Sequence, residues 1–445
     1  MTSVLLISNY YPPTHTAGTE QRTFGYATTL ANWGHQVQVL CAGSWDRGDE
    51  HWNGFVDETD QGVQVRRVHM NWTLAPDPNT YLYRNPQVAL CLKEWLAEWK
   101  PDIIHVTSCY TLSATVLEVA QSVGIPVVVT LTDFWFLCPR LSLLRSNGQL
   151  CDGQTTSLTC TQCLMADSRG YGFVNRVLPD ALLAPMVMQM SKMPSLSRMR
   201  GLRGLALNMV DRKHYLKKML NQVDQVLAPS THLAQLFQAS GLSQEIKVIH
   251  SGHDLAWLAD TPPKSHSEHI RFGYLGQIMP SKGLHTAIQA FLQGVPPSSA
   301  TLSIWGDFNK SASYTEELRD LINGREKDVR FEGPYQRAEL GAVLSDIDVV
   351  VVPSEWHENN PRVCHEAFAC RTPVIGSNVG GIVEFIKDGQ NGLIFDRGNV
   401  ESLADKVQQL VSNPAMVEAL RNGIGPVKSI SDEVRELLEV YEQVQ

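Results

Sequence analysis

No run of eighteen apolar residues occurs in the chain, so no transmembrane helix is expected. The first residues, Met1-Thr-Ser-Val-Leu-Leu-Ile-Ser-Asn-Tyr10, lack the cationic leader and small-residue cleavage site of a signal peptide. They read as a first β-strand. Positive charge is in short supply: 37 Lys and Arg stand against 46 Asp and Glu, a net −9. Wholesale coating of nucleic acid is therefore not expected, and nucleic acid is not among the anticipated partners. Cysteine is too sparse for a disulfide framework, with nine residues, an odd number, scattered over 445. That usage fits a reducing, cytoplasmic location. No short-period repeat is present, which excludes solenoids and propellers.

What is present is a globular composition, 43% hydrophobic and 19% charged, on a chain about three times the length of a typical domain of ~150 residues. Short apolar runs at 4–8, 36–40, 103–106, 126–131 and 224–228 read as buried strands. Amphipathic helical patterns at 19–33, 86–99 and 111–123 lie between them. The alternation restarts with strands at 271–275, 301–305, 329–331, 348–352, 373–375 and 392–395. Helical patterns at 282–292, 316–322 and 400–411 separate these. Two βα series in tandem predict two Rossmann-like, doubly wound α/β domains. The boundaries expected are 1–258 and 265–425, separated at the polar, proline-bearing stretch 260–269. A last helix in 426–445 is expected to return toward the first domain.

One segment interrupts the rhythm and reads as an insertion at about 138–219. Its first part holds four cysteines with the spacing Cys138-x12-Cys151-x8-Cys160-x2-Cys163. Four thiolates would make a closed structural zinc site, the metal reading adopted here, with reduced unliganded thiols and a disulfide or iron–sulfur site as the alternatives. Cys41, Cys91, Cys109, Cys364 and Cys370 read as buried small side chains. The second part, 165–218, carries ten Lys and Arg against three Asp, and eight of the twelve methionines if Met219 is counted. Such a stretch suits peripheral contact with an anionic membrane surface or an anionic acceptor, and equally a packing insertion with a solvated basic face.

The richest stretch is Pro353-Ser-Glu-Trp-His-Glu-Asn-Asn-Pro-Arg-Val-Cys-His-Glu-Ala-Phe-Ala369, placed at the carboxyl end of a strand, where ligands bind in open α/β sheets. Asn360 is a good N-cap and Pro361 suits the first helical position. A helix starting there would turn the amides of Arg362 and Val363 toward an anion. Glu358 precedes the helix and Glu366 lies more than a turn inside it. A carboxylate can hold two hydroxyls of a diol, so the set suits a nucleoside diphosphate sugar. The same spacing also fits a surface loop before an amphipathic helix.

This stretch resembles the Glu-x7-Glu motif of the retaining family-four glycosyltransferases of the GT-B fold (glycosyl transferases group 1). Pro-Ser before it, Glu-Ala-x-Ala-x-x-x-Pro-Val-Ile after it, Gly380-Gly-Ile-Val-Glu384 and Asp388-Gly-x-Asn-Gly-Leu393 match as well. The resemblance implies two domains facing across a cleft, with the donor on the second and the acceptor on the first. It implies that Glu358 contacts the donor sugar and Glu366 the ribose. Tyr274-Leu-Gly-Gln-Ile-Met-Pro-Ser-Lys-Gly283 matches the diphosphate-holding segment, with Lys282 at the family's lysine, neutralising the departing diphosphate.

Gln277 stands where many relatives have arginine. A charge at ~4 Å is worth roughly 4 kcal/mol at an effective dielectric near 20. Arg362 is the candidate replacement. In the first domain only Gly18 remains of the family's glycine pair, and Thr132-Asp133 replaces the usual His-Asp. Asp133 remains to orient an acceptor hydroxyl; His105 is a further cleft candidate, or else a satisfied strand-end histidine. Asp346-Ile-Asp348 reads as strand-entry chemistry, not a metal site. The implied reaction is sugar transfer with retention to a sugar or lipid-linked acceptor hydroxyl, in surface polysaccharide or glycolipid assembly, with no cofactor needed for catalysis. A sugar-nucleotide epimerase on the same fold and a catalytically silent binding subunit remain as alternatives.

Overall fold

The structure, a computed structural model, describes residues 1–166, 182, 183, 185, 186, 205–322 and 324–445, with side chains of the last helix of the insertion described from 209 onward. The chain divides into two compact units, Met1–His250 with Ile430–Gln445, and Ser251–Ser429. The division falls at His250, ahead of the proline-bearing stretch at 260–269.

Among its described residues the first unit carries eight strands: β1 (Ser3–Ile7), β2 (Gln36–Ser44), β3 (Trp52–Asp60), β4 (Val63–Met70), β5 (Ile103–Val106), β6 (Val127–Thr130), β7 (Gln225–Ala228) and β8 (Ile246–Val248). Their order is β3-β4-β2-β1-β5-β6-β7-β8. All neighbours run parallel except β3 with β4. Runs such as Val4-Leu5-Leu6-Ile7 are wholly buried because helices cover both faces of the sheet. One of these helices, Ile430–Val444, comes from the end of the chain. It buries Val434, Leu437, Val440 and Tyr441 beside β1 and β2 residues. Each such side chain contributes roughly 1.5–3 kcal/mol. Tyr26 donates to Glu433 at 2.5 Å and fixes the contact.

β3, β4 and β8 are additions to the expected strand set. The expected insertion also ends differently. Helix Leu205–Asn221 occupies its last part, and Arg212 there is buried, donates to the Trp135 carbonyl and lies over the Trp135 ring at 5.2 Å. The rest of the basic stretch, from 167 to 204 apart from four residues, lies outside the described residues, and with it the segment expected to meet a membrane.

The second unit has six parallel strands, β9 (Ile270–Leu275), β10 (Ala300–Trp305), β11 (Val329–Gly333), β12 (Val349–Val352), β13 (Val374–Ser377) and β14 (Gly392–Phe395), ordered β11-β10-β9-β12-β13-β14. This is the doubly wound order, with its reversal between β9 and β12. Gly273 in β9 is needed for close packing, because a Cβ there would stand 2.4 Å from Ile347. Asp346 and Asp348 do serve strand entry: Arg271 takes Asp348 through Nε at 3.0 Å and Nη2 at 2.9 Å, and reaches Asp346 at 3.3 Å.

Candidate functional site

Two loops leave the β9–β12 reversal. The first carries the short turn Pro280–Lys282 and ends at Gly283, which sits at φ 69°. A Cβ on Gly283 would stand 1.9 Å from the Pro353 carbonyl oxygen, so glycine alone lets the two loops touch. The Glu355 amide donates to the Ser281 carbonyl at 2.8 Å and ties them together.

That contact sets Lys282 Nζ 2.6 Å from Glu358 Oε1. The same oxygen accepts from Ser354 Oγ at 2.7 Å and Trp356 Nε1 at 2.8 Å. The ammonium lies 4.6 Å from the centroid of the Trp356 ring. Burial works to raise the Glu358 pKa, but the Lys282 charge and the bonds from Lys282, Ser354 and Trp356 outweigh it and hold the carboxyl below its ordinary range. Glu358 is a buried, ionised acceptor beside one cation. The Gly380-Gly381 pair explains its placement. A Cβ on Gly380, at φ 60°, would meet the Glu358 carbonyl oxygen at 2.4 Å, and one on Gly381 the Asn359 carbonyl oxygen at 2.2 Å. The Gly381 amide donates to the Glu358 carbonyl at 2.5 Å.

The helix after this loop runs Arg362–Ala369, and its cap residue is Pro361, which offers no side-chain cap. Asn360 is therefore not the N-cap expected from the sequence. Its Oδ1 meets His365 Nε2 at 2.6 Å instead, one turn into the helix. Arg362 and Val363 open the helix, where the helix itself has no use for the backbone amides. Glu366 is buried on the same helix. Its Oε1 accepts from Arg337 Nη1, and from Arg362 Nη2 at 3.2 Å. The Arg362 guanidinium therefore rests on Glu366. Burial raises the buried Cys364 thiol pKa; Glu358 and Glu366 add to the rise and Lys282 opposes it, so all three charges act on one sulfur. Lys282, Glu358, Asn360, Arg362, Val363 and Glu366 thus share one neighbourhood. Gln277 is exposed in the first loop, its carbonyl accepting from Tyr274 Oη at 2.7 Å.

Arg337 escaped the sequence reading. It lies in a short turn, Arg337–Glu339, after β11. Nothing in its own stretch marks it, because its partner Glu366 comes from a distant helix.

Gly18 and Asp133 belong to the first unit. Gly18 is exposed and opens helix Gly18–Asn32. Asp133 follows β6, and Oδ1 accepts from the Trp135 amide at 2.8 Å. Burial raises its pKa to about 6; Glu20 adds to the rise, while the Trp135 amide, Ser108 and the Arg212 charge oppose it. Thr132 donates to the Thr107 carbonyl at 2.7 Å. His105 is the satisfied strand histidine: wholly buried, it meets Thr130 at 2.7 Å and Tyr441 at 2.6 Å. Burial lowers its pKa to about 3, with Arg22 contributing.

Cys138, Cys151, Cys160 and Cys163 line one cavity of about 30 Å³ as free thiols. Among the described residues no three His, Cys, Asp or Glu side chains form a set that could hold a metal ion. The four cysteines expected to bind zinc are thus not shown as a metal-holding set among the described residues. The loop turns through Leu141 and Leu143, both at positive φ, and lays the amides of Leu143, Arg140 and Ser142 against the Cys138 sulfur. Cys41, Cys91, Cys109 and Cys364 are buried, as expected of small apolar side chains, and Cys370 is partly so. No helix among the described residues is long and apolar enough to cross a membrane.

Comparison with known proteins agrees with this layout. Residues 260–424 match the glycosyl transferases group 1 family, and residues 17–182 match a glycosyl transferase 4-like domain. The chain is 24% identical over 434 residues to a glycogen synthase of Mycobacterium tuberculosis, covering 93% of this chain and 87% of that one. It is 33% identical over 153 residues to a D-inositol 3-phosphate glycosyltransferase of Rhodococcus opacus, covering 33% and 34%. Among solved structures, sucrose-phosphate synthase of Thermosynechococcus elongatus superposes with a TM-score of 0.67 at 18% identity over 100% and 99% of the chains. HepE of Anabaena, in complex with UDP and glucose, does so at 0.63 and 16% over the full length of both. Two parallel Rossmann-like sheets, the GT-B fold matches and the two family matches lead to one assignment: the chain belongs to the glycosyl transferases group 1 family and is a retaining, nucleotide-sugar-dependent glycosyltransferase.

Proposed function

We propose that the β9–β12 reversal of the second unit is the donor site, from which a sugar passes to an acceptor hydroxyl in surface polysaccharide or glycolipid assembly. The observation that carries the reading is the Lys282–Glu358 pair at 2.6 Å, with Glu366 one helix away. Glu358 accepts from the donor sugar's hydroxyls and Glu366 from the ribose. The amides opening the helix at Arg362 and Val363, beside Asn360 and Gln277, receive the diphosphate. Lys282 stabilises the charge that builds on the leaving diphosphate as the bond from the anomeric carbon to its oxygen breaks. The acceptor oxygen bonds to that carbon on the same face, and its proton passes to the leaving diphosphate, which accounts for retention.

In the first unit Asp133 orients the acceptor hydroxyl, and Gly18 allows close backbone approach. A carboxyl with a pKa near 6 is well matched to handling a hydroxyl near neutral pH. HepE in complex with UDP and glucose, a solved neighbour in fold, supports a nucleoside diphosphate sugar as the donor class. The basic, methionine-rich stretch at 165–218 supports peripheral attachment to an anionic membrane surface, tested by sedimentation with anionic against neutral vesicles.

The deciding experiment is a thermal-shift panel of UDP-, GDP-, ADP- and TDP-sugars, followed by product analysis with the donor that binds. A new glycosidic bond with the donor's anomeric configuration, lost in Glu358→Gln, is expected. Conversion of the sugar nucleotide without an acceptor would mean an epimerase. Binding without turnover on any acceptor would mean a silent subunit.

A further inference from the structure

Charge does not balance at the β9–β12 reversal. Lys282 and Glu358 cancel, and Glu355 is answered by His285 Nε2 at 3.1 Å and by the Arg397 charge. Glu366, with one negative charge, faces two guanidinium groups, Arg337 and Arg362. One positive charge is left over, and a pocket with surplus cation is stable only with an anion or open water beside it.

The two arginines are held differently. Arg362 is the first residue of its helix and reaches Glu366 four residues on. Arg337 arrives from the loop after β11, and among the described residues its other contacts carry no charge: the Asp254 carbonyl at 3.3 Å and the Trp257 ring, 5.5 Å from the guanidinium carbon. Its side chain is 39% exposed against 29% for Arg362. Arg337 is thus a cation seated on a carbonyl and an aromatic face, with its one ionic bond made to the carboxylate that the donor's ribose would claim.

We propose that Arg337 is a donor-binding residue that reads the diphosphate, an inference that rests on the donor-site reading above. Ribose hydroxyls take Glu366 Oε1 from the guanidinium. Arg337 stays anchored on Trp257 and Asp254 and turns its freed N–H groups to the phosphate next to the ribose. It supplies the cation that Gln277 does not. In the empty protein the same arginine keeps the buried Glu366 neutralised.

The test compares a nucleoside diphosphate with its own nucleoside by calorimetry: UDP against uridine, and likewise the guanosine, adenosine and thymidine pairs. Arg337→Met is expected to weaken the bound diphosphate about 10- to 100-fold, the range of a charge-assisted hydrogen bond, and the nucleoside less than about threefold. Its affinity should also fall less steeply with added salt than that of the wild type. Arg337→Lys, which keeps the charge, is expected to preserve most of the preference for the diphosphate and guards against a folding defect in Arg337→Met. An equal loss for nucleoside and diphosphate would confine Arg337 to the ribose carboxylate and overturn the proposal, as would no loss at all. A wild type that binds no nucleoside diphosphate would instead overturn the donor-site reading itself.

Discussion

At the β9–β12 reversal of the second unit, Glu358 and Glu366 each accept from a cationic side chain. At the β1–β5 reversal of the first unit, Glu20 and Asp133 make no ion pair among the described residues. Glu20 accepts from Asn9 at 2.8 Å, and its other oxygen is buried without a hydrogen-bond partner among the described residues. The strand order around the two reversals is the same, β4-β2-β1-β5-β6-β7 in one unit and β11-β10-β9-β12-β13-β14 in the other. The residues set into it are not. The Lys282 charge and neighbouring donors hold Glu358 in its charged form, whereas at Asp133 burial outweighs the Arg212 charge and pushes the carboxyl to about 6. On the reading proposed above, one reversal meets charge and the other exchanges hydrogen bonds with a neutral hydroxyl.

The largest expected effect breaks the charged side of this comparison. Lys282→Met leaves Glu358 buried without its cation, which should cost about 3–5 kcal/mol of stability and raise the carboxyl's pKa. Adding Glu358→Gln should restore much of the stability, because no buried charge remains, while kcat/KM stays at least about a thousandfold down. Urea unfolding and steady-state rates on the same preparations separate the two. If the double variant recovered activity, the pair would be structural only. The wild-type pH profile should agree: a depressed carboxyl contributes stability above its unfolded value near 4.3, lost as pH falls through the folded value.

The Asp133 side should behave with the opposite sign. Asp133 has a folded pKa near 6, above its unfolded value near 3.9, so the folded state holds the proton longer. Stability therefore falls as pH rises from about 4 through 6. Asp133→Asn should remove that slope and lower kcat about a hundredfold. Denaturant midpoints measured across this window check it, and an unchanged slope would mean that Asp133 is not the buried acid. A smaller effect is expected from Gly380→Ala, which strains a φ of 60° and presses a Cβ on the Glu358 carbonyl. It should cost about 1–3 kcal/mol and raise KM for the donor more than it lowers kcat.

Which parts of this were readable beforehand follows from how each residue acquires its partner. The buried parallel strands announced themselves because both faces are apolar, as in Val349-Val-Val-Val352. β3 did not, because it is a solvent-exposed edge strand rich in acids, Asp57, Glu58 and Asp60 among them. The hairpin signal that could have found it is Asp60-Gln-Gly62, whose Gln61 and Gly62 both take positive φ. β8 is three residues long, below what periodicity can register. Glu358 and Glu366 share one stretch and Lys282 lies in another, 76 residues away, so it was the resemblance to family motifs, not spacing, that singled them out. Asn360 was misassigned because its side chain is captured by His365, a local competition that propensity does not resolve. Arg337 and the four thiols needed tertiary placement: one arginine meets its carboxylate across the sheet, and the thiols share a cavity without closing on a point.

The smallest expected effect sharpens the comparison most finely. Gln277→Arg would restore the cation many relatives carry, on an exposed loop residue of the site that already has one positive charge in surplus. Two facts limit the gain. An exposed charge acts through high dielectric and is worth about 1 kcal/mol or less at contact. On the donor-site reading proposed above, the diphosphate's charge is also already answered by Lys282, the helix amides and Arg337. Diphosphate affinity should rise less than about fivefold in the wild-type background. In Arg337→Met the same substitution should gain more, because the surplus is gone. The four affinities form a double-mutant cycle whose coupling is the quantity of interest. Equal gains in both backgrounds would mean that the two cations do not serve the same anion.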